Sequence, residues 1–171
     1  MVSSDSHHSR LCFLSFSVII FLSYSAWSSE RRVSTLAALQ QLRANPGETI
    51  LVAPGEFAGN VVIGFSGTKD KPITVIAETR RETILKPSRN DDPTLRINGS
   101  HLIIDGFVVD NGFNGADGIQ IRNAEGVILR YCEVKNIGGE KIGSGTDGID
   151  IGSSRRSEER RVGKEWRSRW S

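Results

Sequence analysis

Between Leu95 and Ile151 the sequence nearly repeats itself, and the length of the repeat limits the fold more than any other feature of this 171-residue chain. The copy from Ser100 to Asn111 returns as Glu125 to Asn136, 25 positions on. Leu102 falls on Val127, Ile103 on Ile128, Ile104 on Leu129, Val109 on Val134 and Asn111 on Asn136. A second signature interleaves with it: Asp117-Gly118-Ile119-Gln120-Ile121 comes back as Asp147-Gly148-Ile149-Asp150-Ile151. Repeats of this length mark stacked units, each unable to bury its own apolar face. Within each unit apolar residues alternate over short runs bounded by Gly, Asn and Asp, which is strand punctuation. Short strands without a helical crossover predict an all-β solenoid, a parallel β-helix of about five coils spaced ~4.8 Å apart.

The first coils are read ahead of that stretch. Ser34 to Asn45 is the one helical segment, with Ser34 as N-cap, a stripe of Leu36, Leu39 and Leu42, and Pro46-Gly47 as its stop. Its expected task is to cover the open first coil of the β-helix, which is expected over residues 46–154. Glu48 to Ala53, Phe57 to Ile63, Ile73 to Ala77, Glu82 to Lys86 and Thr94 to Ile97 read as strands. Ile73 and Val75 each stand 22 positions before Leu95 and Ile97, so they are expected to stack on them. Ile73, Val75, Leu95, Ile97, Ile119, Ile121, Ile149 and Ile151 then point inward, and Thr74, Arg96, Gln120 and Asp150 form an outward column. Arg96 and Asp150 would lie two coils apart, ~10 Å. Ile103 and Ile128 become an outward apolar pair that something must cover. Asn111 and Asn136 close their coils as turn residues that hydrogen-bond a stacked neighbour. The loops Gly112–Ala116 and Ile137–Thr146 leave from one corner and would wall a binding face.

The two ends stand apart from this pattern. Residues 1–28 read as a secretory signal: His7, His8 and Arg10 precede an apolar run from Leu11 to Leu22, and small residues follow, with cleavage after Ser25 or Ser28. Twelve apolar-rich positions are too few to span a bilayer, so no stable membrane anchor is expected, and the chain is expected to be secreted. Residues 155–171 lose the repeat, and from Arg156 onward they resemble the translation of a sequencing-library adapter, so an unstructured, artefactual tail is expected there. From Arg156 on, six Lys or Arg face three acids, a charge of +3 against +2 for the whole chain. The remainder carries −1, so the basic balance is no sign of a nucleic-acid partner. Of the two cysteines, Cys12 lies in the signal and Cys132 takes the place of Phe107 in the repeat, a small core residue without a disulfide partner. His101 is the only histidine beyond the signal.

The D-G-I-x-I pattern, the Asn at the end of each coil, and Gly67-Thr68-Lys69-Asp70-Lys71-Pro72-Ile73 resemble secreted right-handed parallel β-helix proteins of the pectate lyase and chondroitinase B kind. The resemblance runs from about Thr35 to Ser154. It implies a right-handed winding and a carbohydrate-active protein, foremost a polysaccharide lyase acting on an acidic, uronate-containing polymer. A lyase needs a base to take the proton beside a uronate carboxylate, and Arg or Ca²⁺ to neutralise that carboxylate. No cofactor and no clustered metal ligands are evident here; the resemblance admits Ca²⁺ in a longer parent chain. Catalytic residues in lyases of this fold usually come from later coils, so this stretch, read as the N-terminal part of its parent, is expected to be inactive by itself. Arg96, Gln120, Arg122 and Asp150 are the candidate substrate-binding residues, with Glu140 and Lys141 near the groove. Asp147 and Asp150 are the candidate catalytic pair, because Gly145-Thr146-Asp147-Gly148-Ile149-Asp150 resembles a polygalacturonase motif. Gly145 stands where that family has Asn, and its later motifs are absent. A non-catalytic, adhesin-like carbohydrate-binding β-helix is the rival reading. Asn98-Gly99-Ser100 is an N-glycosylation sequon, usable in a eukaryotic source.

Overall fold

A computed structural model describes residues 29–88, 92–138, 145–153 and 158–160. The signal reading of residues 1–28, and Glu140 and Lys141, lie outside them. The chain winds as a right-handed parallel β-helix of three sheets, here A, B and C. It begins with β1 (Glu30–Val33) and the helix α1 (Leu36–Gln40). Four complete turns follow. They are β2 (Thr49–Val52), β3 (Gly55–Ala58) and β4 (Val61–Ile63); then β5 (Ile73–Ala77), β6 (Thr83–Lys86) and β7 (Leu95–Ile97). Next come β8 (Leu102–Asp105), β9 (Val108–Asp110) and β10 (Ile119–Arg122), and then β11 (Ile128–Arg130), β12 (Glu133–Lys135) and β13 (Ile149–Gly152). Last is β14 (Glu158–Arg160). Sheet A runs β1-β2-β5-β8-β11-β14, sheet B β12-β9-β6-β3 and sheet C β13-β10-β7-β4.

Registered aliphatic rows hold the coils together. Ile50, Val75 and Ile104 stack in sheet A, and Leu95 on Ile119 and Ile97 on Ile121 in sheet C, all at most 1% exposed. Each buried aliphatic side chain contributes ~1.5–3 kcal/mol, more than strand propensity does in runs of three to five residues. The interior is closely packed around a small cavity of about 10 Å³, lined by Leu39, Val61, Val75, Leu85, Leu95 and Phe107 among others. No helix among the described residues is long and apolar enough to cross a membrane.

The 25-residue repeat sets the register as expected, with Ile103 opposite Ile128, Ile104 opposite Leu129 and Val109 opposite Val134. The 22-residue offset does not. Ile73 pairs with Leu102 in sheet A, whereas Leu95 pairs with Val61 and Ile119 in sheet C. Both pairs point inward, but they sit in one coil on different sheets, because β6 and two loops intervene between β5 and β7. Thr74 therefore leaves the outward column, where Val62 takes its place beside Arg96. The stretch read as one strand from Phe57 to Ile63 is two, β3 and β4, with Asn60 at the corner accepting the Ser88 N–H and donating to the carbonyls of Asp92 and Pro93.

The helix is shorter than the span from Ser34 to Asn45, and its N-cap is Thr35, whose Oγ1 accepts the Ala38 N–H at 3.2 Å. It stops at Gln40 because the chain must turn back to β2: Glu48 N–H donates to the Asn45 carbonyl, and Asn45 N–H to Glu48 Oε2. The leucine stripe holds, with Leu39 and Leu42 buried and Leu36 packed against the core beside Gly59. β1 was not foreseen; it pairs with β2, so the helix lies inside the first turn. At the other end, β14 pairs with β11. Ile103 and Ile128 are half-buried in the outward face of sheet A, between Thr74 and β14.

Candidate functional site

The outward face of sheet C carries the row Val62, Arg96, Gln120 and Asp150, one residue from each of four adjacent strands. Alternation places them there: their neighbours Ile63, Ile97 and Ile121 turn inward. Four strands span three spacings, ~14 Å along the solenoid axis. The loops that join sheet B to sheet C flank this face. They are layered on one another: Phe113 N–H donates to the Asn136 carbonyl at 2.8 Å and Gly115 N–H to the Gly138 carbonyl at 3.0 Å.

A chain of polar contacts runs across the row. Arg96 Nη2 is 3.7 Å from Asp92 Oδ1, and its Nε donates to Gln120 Oε1 at 3.1 Å. Gln120 Nε2 donates to Asp117 Oδ2 at 3.2 Å, and Asp117 Oδ1 accepts the Asp147 N–H at 2.9 Å. Arg122 reaches over Gly152 to pair with Asp150; a Cβ on Gly152 would stand 2.5 Å from Arg122 Nη1, so the guanidinium would have to shift there. The hydrogen bond from Arg122 holds the Asp150 carboxyl below the usual carboxylate range, and Asp150 raises the Arg122 guanidinium in turn. Arg96, Gln120, Arg122 and Asp150 are thus brought together. Asp147 is near through its backbone, and its side chain is exposed. Asn98 is exposed at the turn after β7, with Gly99 tucked against the Phe65 carbonyl.

The repeated D-G-I has a structural reason in its first copy. Asp117 receives the next coil's backbone, and a Cβ on Gly118 would stand 2.4 Å from Val134 Cγ1 and 2.8 Å from the Gly148 carbonyl oxygen. Asp117, outside the expected site residues, links Gln120 to the backbone of the next coil. The asparagines do not form a ladder. Asn111 is fully buried, accepts the Thr94 hydroxyl at 2.5 Å and donates to the Ala116 carbonyl, whereas Asn136 has a left-handed backbone, φ 55°, and donates to Asp110 Oδ1.

Two further groups lie away from the face. Cys132 packs against the core, and burial pushes its thiol up to about 11. Asp105, 1% exposed at the end of β8, accepts from Arg130 Nε at 2.7 Å, with Arg80 3.9 Å from Oδ1 and stacked over Tyr131 at 3.8 Å. Among the described residues no three carboxylate, thiol or imidazole groups gather as a metal site.

No family model and no curated protein sequence matches the chain. Solved structures do. An alginate lyase from Paenibacillus sp. str. FPU-7 superposes with a TM-score of 0.60 at 21% identity, over 77% of this chain and 58% of that one. A mannuronic acid specific polysaccharide family 6 lyase from human gut microbiota gives 0.58 at 18% identity, over 78% and 34%. The PL6 family alginate lyase AlyGC gives 0.50 at 27% identity, over 61% and 15%. The chain spans well under two thirds of each of these proteins, and what it has in common with them is the parallel β-helix fold of polysaccharide lyases.

Proposed function

We propose that this β-helix is the N-terminal part of a secreted uronate lyase, and that the outward face of sheet C is its polysaccharide groove. The observation that carries the reading is the row of Arg96, Gln120 and Asp150, beside layered loops, on a solenoid similar to three lyases of acidic polysaccharide. Strand spacing sets a pitch of ~4.8 Å along the row, which presents side chains at regular steps to an extended chain of sugars. In a β-elimination a base removes the proton next to the uronate carboxylate while a cation stabilises the developing negative charge. Arg96 and Arg122 suit the second task. In this reading the elimination step belongs to residues outside the described set, and the stretch alone is inactive.

The polygalacturonase-like alternative fares less well. An inverting hydrolase needs one protonated and one ionised carboxyl. Arg122 holds Asp150 ionised, which fits only the base of such a pair and would leave proton donation to Asp147, whose side chain is exposed. The adhesin-like alternative draws support from the way Arg96, Arg122 and Asp150 are tied to neighbours rather than poised.

The test is a full-length parent chain incubated with alginate, pectate and chondroitin, read by the absorbance of the unsaturated product. Turnover of any one supports the lyase reading. Binding without absorbance change would leave the adhesin-like reading in its place.

A further inference from the structure

We infer that the pocket between the end of α1 and the end of β4 is a subsite for one uronate residue, extending the sheet C groove beyond Val62. This inference rests on the reading of sheet C as a polysaccharide groove. The pocket has a volume of about 350 Å³ and is lined by Gln40, Leu42, Arg43, Val62, Gly64 and Phe65. That volume lies within the ~300–1,000 Å³ of typical small-molecule sites. Val62 is both a wall of the pocket and a member of the outward row, so the two are continuous.

Charge decides where an acidic chain would settle. Toward β13, Asp92, Asp117, Asp147 and Asp150 outnumber Arg96 and Arg122, and both arginines already face a carboxylate. A uronate there must displace a protein carboxylate. Arg43 is different: no carboxylate of the described residues pairs with it. Its Nη1 donates to the Leu42 carbonyl at 3.1 Å, which leaves most of the guanidinium's five N–H donors for a ligand. A guanidinium takes a carboxylate through two parallel hydrogen bonds. The other walls fit the rest of the sugar. Val62, 47% exposed, with the half-buried Phe65, offers an apolar surface to the C–H face of a pyranose ring. Gln40 donates through Nε2 to the Asn60 carbonyl at 2.8 Å, so its Oε1 is turned to accept from a sugar hydroxyl. Gly64 adds no bulk: nothing lies within 4 Å of where its Cβ would stand.

Calorimetric titration of the full chain with hexamannuronate tests this, with R43Q, V62D and R96Q as variants and neutral mannohexaose as control. R43Q and V62D are both at exposed positions, so the thermal melt of each should match the native one. Loss of a charge-assisted pair predicts a Kd about tenfold higher for hexamannuronate in R43Q, and a similar rise in V62D from like-charge repulsion. The mannohexaose titration should be unchanged. Hexamannuronate binding within about twofold of native in both variants, with R96Q weakened, would overturn the subsite and leave the groove reading standing. No binding of hexamannuronate by the native chain would remove both.

Discussion

The two ends of sheet C are built from the same strand pattern and behave differently. At β4, Val61 and Ile63 are buried, and α1 packs alongside. At β13, the equivalent Ile151 is 43% exposed, and no strand follows β13 in sheet C among the described residues. Ile97 and Ile121, in the same inward row two and one coils earlier, are 0% and 1% exposed. Identical chemistry is thus buried or bare according to whether a coil lies on both sides. The outward faces differ as well. Arg43 near β4 has no carboxylate partner among the described residues, whereas Arg122 near β13 is spent on Asp150.

The largest expected effect is on the middle of the row. I97A should lose ~2–5 kcal/mol of unfolding free energy in urea, while I151A should change it by less than ~0.5 kcal/mol. Equal losses would break the comparison. L39A comes next, at ~2–3 kcal/mol, because Leu39 fills the interior where a further coil would otherwise stack. T35A should cost about 1 kcal/mol through the lost N-cap bond to Ala38.

Two titrations sharpen the same contrast. Cys132 is half-buried against the core, and desolvation there raises its thiol pKa from 9.0 to about 11. A raised value means the thiol favours the fold below pH 9, and that contribution is lost as pH rises toward 11. Native protein at pH 8 should therefore react slowly with a thiol reagent and quickly once unfolded; equal rates would show the thiol is not buried. Asp150 has the opposite sign. Its lowered pKa adds stability above the ordinary carboxylate range and loses it as pH falls through the lowered value. Solvent screening keeps that contribution to ~0–1 kcal/mol, so D150N should flatten the acid limb of stability only slightly.

The later coils were legible because their spacing is regular. Asp117-Gly118-Ile119 aligned with Asp147-Gly148-Ile149 already puts Gln120 beside Asp150 and Arg122 beside Gly152, as observed. The early coils were not, because loops of unequal length separate their strands, and a 22-residue coincidence between β5 and β7 mimics a coil. Val62 was hidden inside a stretch that read as a single strand. Arg43 was hidden for another reason: its pocket joins a helix end to a strand about 20 residues on, and no short-range pattern reports that meeting. β1 and β14 lack the alternation that marks a strand buried on one side; edge pairing with β2 and β11 makes them strands.

The claim that sheet C is the ligand-bearing face is tested most directly by an amide chemical-shift titration of the labelled chain with hexamannuronate. The account predicts shifts at Val62, Arg96 and Gln120, while Thr74 and Ile103 on sheet A stay in place. Shifts centred on sheet A or sheet B, with the sheet C amides unmoved, would contradict it.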